Sequence, residues 1–267
     1  MKKQYSVPAL EKSIAILEYL SSSEEDLTIT EIHQKLDIPK ATVFMILQVM
    51  EGHNLVTKSR DGRYSIGPRI YSWGLGYMTK MELRKIAHPY LEKLSKETGH
   101  TVHLGRISDN RVLFIDKVEQ PSFIKFNTFI GMQSDIHCCA LGKAMAAHLD
   151  PAQLDEIIAA IGLGKYTENT ITNYDMFKKV LKLIRQTGYA VEDEEGEIGV
   201  RCIGSAIFNA EGEVAGAVSV TALKSNLTSD QYPYIGEKVS QTAMAVSQAL
   251  GYRPKQEGGK ILDYTEK

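Results

Sequence analysis

Three observations predict an α+β fold for this chain of 267 residues. Apolar residues recur at helical spacing through roughly the first 80 positions, and period-two alternation takes over beyond them. Further helical segments then separate two groups of strand-like runs. The composition, 43% hydrophobic and 24% charged, is that of an ordinary globular protein. No apolar run reaches the roughly 18 residues of a membrane span, and Glu11, Lys12 and Glu18 interrupt the one N-terminal stretch that imitates a signal sequence. No membrane partner is therefore expected, and the cytosol is the expected compartment. With 31 Lys and Arg against 33 Asp and Glu, the net charge of -2 exerts no global pull on nucleic acid, so any attraction to DNA must be local.

The first helix is signalled by Ser6 as N-cap, Pro8 in the opening turn, and Leu10, Ile14, Leu17 and Leu20 at helical spacing. Thr28 with Glu31 three residues later has capping-box spacing, and Ile32 and Leu36 supply the inward stripe of a short second helix. A tight Asp37-Ile38-Pro39 turn precedes a third helix. Val43, Ile46, Leu47 and Met50 line its buried face, and Lys40, Ala41, Thr42, Phe44, Met45 and Gln48 face outward. Residues 55–58 and 64–66 then read as a hairpin around Gly62. Three helices and a hairpin tipped with Lys58, Arg60 and Arg63 make a winged helix-turn-helix. Between Lys35 and Arg69 six basic residues face three acidic ones, the local surplus that DNA binding needs.

Beyond a boundary near residues 74–80, an amphipathic helix over residues 83–97 is closed by Gly99. A meander of three strands is expected at 101–107, 111–118 and 122–129, followed by helices at 138–148, 152–161 and 174–186. A second hairpin, 200–208 with 214–221, and a terminal helix over 230–250 complete the chain.

On the third helix, Lys40 and Gln48 offer donors to base edges and Thr42 reaches a phosphate or a thymine methyl. Phe44 and Met45 do not suit a solvated face, so they touch either thymine methyls or a neighbouring protomer. The five carboxylates between Glu192 and Glu197 read as a solvated loop, since no second ligand type is spaced for a metal. His137-Cys138-Cys139 could set a thiol beside an imidazole, so a thiol-based enzyme or redox sensor using Cys138 or Cys139 is the competing reading, as is a ligand-binding module making protein contacts alone. Three cysteines, two of them adjacent, make neither a disulfide framework nor a metal pair, and no cofactor is called for. Ser219 and Thr221, two apart on one strand, present hydroxyls to one sheet face near the helix start at 138–141, a set suited to a small carboxylate.

The ordered fragments "VPALEKSIAILEYL", "LTITEIHQKLDIPKATV", "GRYSIGPRI", "ETGHTVHLG", "HCCALGKAMAAHL", "TENTIT", "RQTGYAVEDEEGEIGVRCIGSAIF" and "GAVSVT" resemble the motifs of the IclR family of bacterial transcription regulators, over about residues 7–251. The resemblance implies a winged helix-turn-helix over residues 1–66, a linker helix over 67–80, a GAF-like effector-binding domain over 81–253 and a polar tail over 254–267. It implies a DNA-binding regulator, a repressor rather than an activator, of a catabolic operon. Its partners would be double-stranded DNA carrying a pseudopalindromic operator, further copies of the chain in a homodimer or homotetramer, and a small-molecule effector, a sugar acid or keto acid. Carried over to this chain, the effector pocket would be lined by Ala140, Leu141, Glu192, Cys202, Ser219 and Thr221. The chain departs from the pattern at Ala41, where a serine is common, at Phe44-Met45, where a His-Arg pair is common, and at Cys138-Cys139, where small residues are usual. "TVHLG", "GVRCIGSAIF" and "SQALGY" are similar to the branch regulating sugar-acid catabolism, which includes 2-keto-3-deoxygluconate regulators.

Overall fold

The computed structural model describes residues 6–79, 82–122 and 125–253. The chain divides into two compact units between residues 80 and 81.

In the first unit, α1 (Pro8–Ser22) opens on Pro8, whose missing N–H is lost at a position that has no intrahelical partner anyway. Val7, not Ser6, is the N-cap, with no side-chain cap: its carbonyl accepts Leu10 N at 2.9 Å and Glu11 N at 3.1 Å. The expected serine cap is displaced because Pro8 starts the helix one residue later. Ile16 and Leu20 enter the core, while Val7, Leu10 and Ile14 form an uncovered stripe. α2 (Ile29–Leu36) carries the expected capping box, with Thr28 N donating to Glu31 Oε2 at 2.6 Å and Glu31 N to Thr28 Oγ1 at 3.3 Å. The chain reverses at Asp37, in the left-handed region at φ 52°, and His33 Nδ1 pins the turn by donating to Ile38 O at 2.8 Å. α3 (Lys40–Gly52) buries Val43, Leu47 and Met50. β1 (Val56–Lys58) and β2 (Tyr64–Ile66) pair antiparallel, Gly62 takes φ 84° at their turn, and Leu27 bridges Tyr64 to extend the wing. α4 (Pro68–Thr79) follows directly.

The second unit begins with α5 (Glu82–Thr98) and Gly99 at φ 72°. β3 (Thr101–Ser108) and β4 (Arg111–Val118) form the expected hairpin. The third meander strand is absent from the described part of 122–129; instead a two-residue β5 (Gln133–Ser134) pairs with β4. Lys117 explains the difference: its Nζ donates to Phe126 O at 2.9 Å and Thr128 O at 2.8 Å, so these carbonyls serve an ammonium and not a ladder. Next come α6 (Ala140–Ala146), α7 (Pro151–Ile161), α8 (Tyr174–Thr187), β6 (Ala190–Asp193), β7 (Val200–Phe208), β8 (Val214–Leu223) and, after a 3-10 turn at Ser229–Gln231, α9 (Tyr232–Ala249). The strand groups do not stay apart. β3 pairs with β8, giving one antiparallel sheet in the order β5-β4-β3-β8-β7-β6. α5 and α9 cover one face through Leu91, Val239, Val218 and Val220, and α6, α7 and α8 cover the other through Leu141, Ile157, Phe177 and Ala217. The expected tail, 254–267, lies outside the described residues.

Candidate functional site

In the first unit, the outward face of α3 exposes Lys40, Ala41, Phe44, Met45 and Gln48, while Thr42 is half-buried. Val49, 62% exposed, belongs to the same face and was not expected there. Its position at i+4 from Met45 is the signal that could have found it. Gln48 Nε2 donates to Glu51 Oε2 at 3.2 Å. Lys58 and Arg60 are exposed on the wing, with Lys58 Nζ 5.4 Å from the Tyr64 ring centroid. Arg63 differs from the expectation of a free cation. Its Nη1 donates to Asp26 O at 2.8 Å, and the guanidinium pairs with Glu31 and Asp61, each at 3.5 Å, so it braces the wing against the N-terminus of α2.

In the second unit, sheet register builds the other site. Glu192, Cys202 and Thr221 lie opposite one another across β6, β7 and β8, and Gly204, Ser219 and His103 do so across β7, β8 and β3. Val218 and Val220 point to the α5–α9 core, so by strand alternation Ser219 and Thr221 face α6. A Cβ on Gly204 would stand 2.9 Å from the backbone C and O of Ala140. This missing side chain lets the start of α6 rest on β7 and brings Ala140 and Leu141 onto the same face. The loop after β6 closes over it, for a Cβ on Gly196 would meet Cys138 O at 2.9 Å. All six expected pocket residues therefore converge; five are buried and Cys202 is half-buried.

The interior is a hydrogen-bonded chain. Cys202 Sγ lies 3.2 Å from Thr221 Oγ1, Thr221 Oγ1 lies 3.1 Å from His103 Nδ1, and His103 Nε2 lies 2.7 Å from Thr128 Oγ1. Burial, with Lys117 nearby, lowers the His103 pKa to about 3, so this ring is neutral and holds one N–H. His103 was not anticipated as part of the site. Its signal is a polar residue between Val102 and Leu104, directed to the opposite face. Glu192 Oε1 accepts Glu195 N at 2.6 Å and Gly196 N at 3.1 Å, yet burial outweighs these bonds and raises its carboxyl pKa above the ordinary 4.5. A cavity of about 90 Å³ opens beside Thr221, bordered by His100, Thr101, Gln120 and Phe126.

The acidic run is not a solvated loop. Lys143, fully buried, meets Glu195 Oε1 at 2.5 Å, Lys224 pairs with Glu194, and Arg201 Nε donates to Asp193 Oδ1 at 2.6 Å. These partners fold the loop over the pocket, and among the described residues no cluster of His, Cys, Asp and Glu suits a metal. The thiols lie in surroundings that disfavour a nucleophile. Burial raises Cys138 to about 11, Cys139 to about 12 and Cys202 well above its ordinary value, so thiolate is scarce at neutral pH. His137 Nε2 donates to Gly164 O at 2.8 Å, and Cys139 Sγ, the N-cap of α6, accepts Gly142 N at 3.3 Å.

The family pattern of the IclR helix-turn-helix domain matches residues 9–60, and that of the bacterial transcriptional regulator IclR C-terminal domain matches residues 75–248. The HTH-type transcriptional repressor AllR of Klebsiella pneumoniae is 31% identical over 253 residues, spanning 94% of this chain and 93% of that protein. The crystal structure of Thermotoga maritima IclR is similar at a TM-score of 0.75 and 31% identity, spanning 91% of this chain and 98% of that one. An IclR homologue from Microbacterium hydrocarbonoxydans, solved in complex with 4-hydroxybenzoate, shares the fold at a TM-score of 0.78 and 20% identity, spanning 91% and 98% of the two chains. This chain belongs to the IclR family of bacterial transcriptional regulators.

Proposed function

We propose that this regulator represses a catabolic operon and is controlled by a small carboxylate, a keto acid or sugar acid, bound under the start of α6. The observation that carries the effector site is the convergence of Glu192, Cys202, Ser219 and Thr221 on one covered sheet face. Thr221 and Ser219 hydroxyls hydrogen-bond the carboxylate, Ala140 and Leu141 present backbone at the helix start, and Cys202 and Glu192 close the far side. The AllR relative is a repressor and the 4-hydroxybenzoate complex holds an aromatic acid, both consistent with this reading.

DNA contact falls to α3, with Lys40, Ala41, Thr42, Phe44, Met45 and Gln48 in the major groove, and to Lys58 and Arg60 on phosphates, with Arg63 positioning the wing. The uncovered stripe of Val7, Leu10 and Ile14 on α1 suits a second copy of the chain, as homodimer or pair of dimers, and a two-fold dimer reads a pseudopalindromic operator. The effector acts by binding one quaternary arrangement better than the other, with α4 as the lever. The test is a pair of variants, Ser219→Ala and Thr221→Val, titrated with a panel of small keto acids and sugar acids. Each should need at least about tenfold more acid to release DNA, the loss of one hydrogen bond to a charged group. An effector response unchanged in both would remove this pocket from the account.

A further inference from the structure

We infer that α3 selects A·T base pairs, reading thymine methyl groups through Phe44, Met45 and Val49 and an adenine edge through Gln48. The inference rests on the DNA-binding reading above and concerns what α3 reads there. Phe44, Met45 and Val49 are 48%, 59% and 62% exposed. With Gln48 they occupy positions i, i+1, i+4 and i+5, a single face of the helix opposite the buried Val43, Leu47 and Met50. Three large apolar side chains on one solvent-facing surface call for an apolar partner.

In the major groove that partner is the C5-methyl of thymine, the apolar group that distinguishes the four base pairs there. Readers of guanine are scarce on this face. A bidentate contact to guanine O6 and N7 uses arginine or lysine, and α3, KATVFMILQVMEG, has no arginine and only Lys40, in its first turn. The uncharged hydrogen-bonding group fully on the face is Gln48. Glu51 Oε2 takes one of its amide hydrogens at 3.2 Å, which orients the amide and leaves its other N–H and its carbonyl oxygen. One donor beside one acceptor matches N7 and N6–H of adenine. The exposed cations Lys40, Lys58 and Arg60 favour a polyanionic partner over a second apolar protein surface.

The test replaces thymine by deoxyuridine, which removes the methyl and leaves every hydrogen bond, one position at a time in a duplex from the chain's own upstream region. Dissociation constants are read by fluorescence anisotropy with the unaltered protein, so no variant has to fold for the first result. Two or three positions in each half-site should weaken about threefold to fivefold, the effect of one buried methyl. Phe44→Ala, Met45→Ala and Val49→Ala should each bring the thymine-to-uracil ratio to one at a single position. Replacing adenine by 7-deazaadenine, which lacks N7, should weaken wild type but not Gln48→Ala. Equal binding of thymine and uracil duplexes, with selectivity over a scrambled duplex retained, would overturn the inference alone. So would alanine variants that keep the ratio but change the oligomeric mass in light scattering, which would make the face a protein contact. Absence of any preference for the upstream duplex would instead overturn the DNA-binding reading, and the inference with it.

Discussion

Glu192 shows how a single side chain carries both the fold and the proposed site. Its carboxyl caps the loop through two backbone N–H groups, and burial nevertheless holds its pKa above 4.5. A group protonated more readily when folded stabilises fully below its unfolded pKa, and that contribution is lost as pH rises through the raised value. The same proton governs anion binding, because a neutral acid repels an incoming carboxylate less than an ionised one. Effector affinity should therefore strengthen as pH falls from neutrality towards the raised pKa of Glu192, and Glu192→Gln should flatten the dependence. Calorimetric titration of both proteins across that range checks this, and parallel slopes would place Glu192 outside the pocket. His103 has the opposite sign. Its pKa is lowered to about 3, so the stability that comes from keeping it neutral is present above 6.5 and is lost as pH falls towards 3. Neither shift could be read from the sequence, because both follow from burial by elements distant along the chain.

Secondary-structure elements were readable wherever their signals are local. The Thr28–Glu31 box, the left-handed Gly99 after α5 at φ 72° and the β1–β2 hairpin each depend on residues within a few positions of one another. β6 was missed because Glu192 and Asp193 read as loop until Lys143, Lys224 and Arg201 supply their loop's counterions from elsewhere. The strand expected at 122–129 failed for a related reason, since Lys117 captures carbonyls that a ladder would have used. Joining the two strand groups through β3 and β8 pairs Thr101 with Thr221, and no local pattern encodes that. The register in turn makes Gly204 the seat of α6. Gly204→Ala forces a Cβ to 2.9 Å from the Ala140 backbone, where nothing flexible can yield. We expect it to lose roughly 1–3 kcal/mol of stability in urea denaturation and to blunt the effector response, as overpacking of a tight contact does. A fully stable variant with an intact response would show that α6 does not need this seat.

The chain as a whole combines a nearly neutral net charge with a local basic surplus between Lys35 and Arg69, so specific binding has to come from a small, well-placed surface. That surplus and the hydroxyl pair on β8 were visible in the sequence, as was the order of the elements apart from β5 and β6. The closure of the pocket by the acidic loop and the bracing role of Arg63 were not, because each depends on contacts between elements far apart along the chain. Two activities are proposed for one molecule: selective DNA binding by the first unit and its control by an acid held in the second. Fluorescence anisotropy of a duplex from the chain's upstream region against a scrambled duplex, at two salt concentrations and with a panel of small acids, tests both together. We predict tighter binding to the upstream duplex, affinity that falls as salt rises because phosphate counterions are released, and dissociation by one acid of the panel. Equal affinity for the two duplexes at both salt concentrations, unaffected by every acid, would contradict the account.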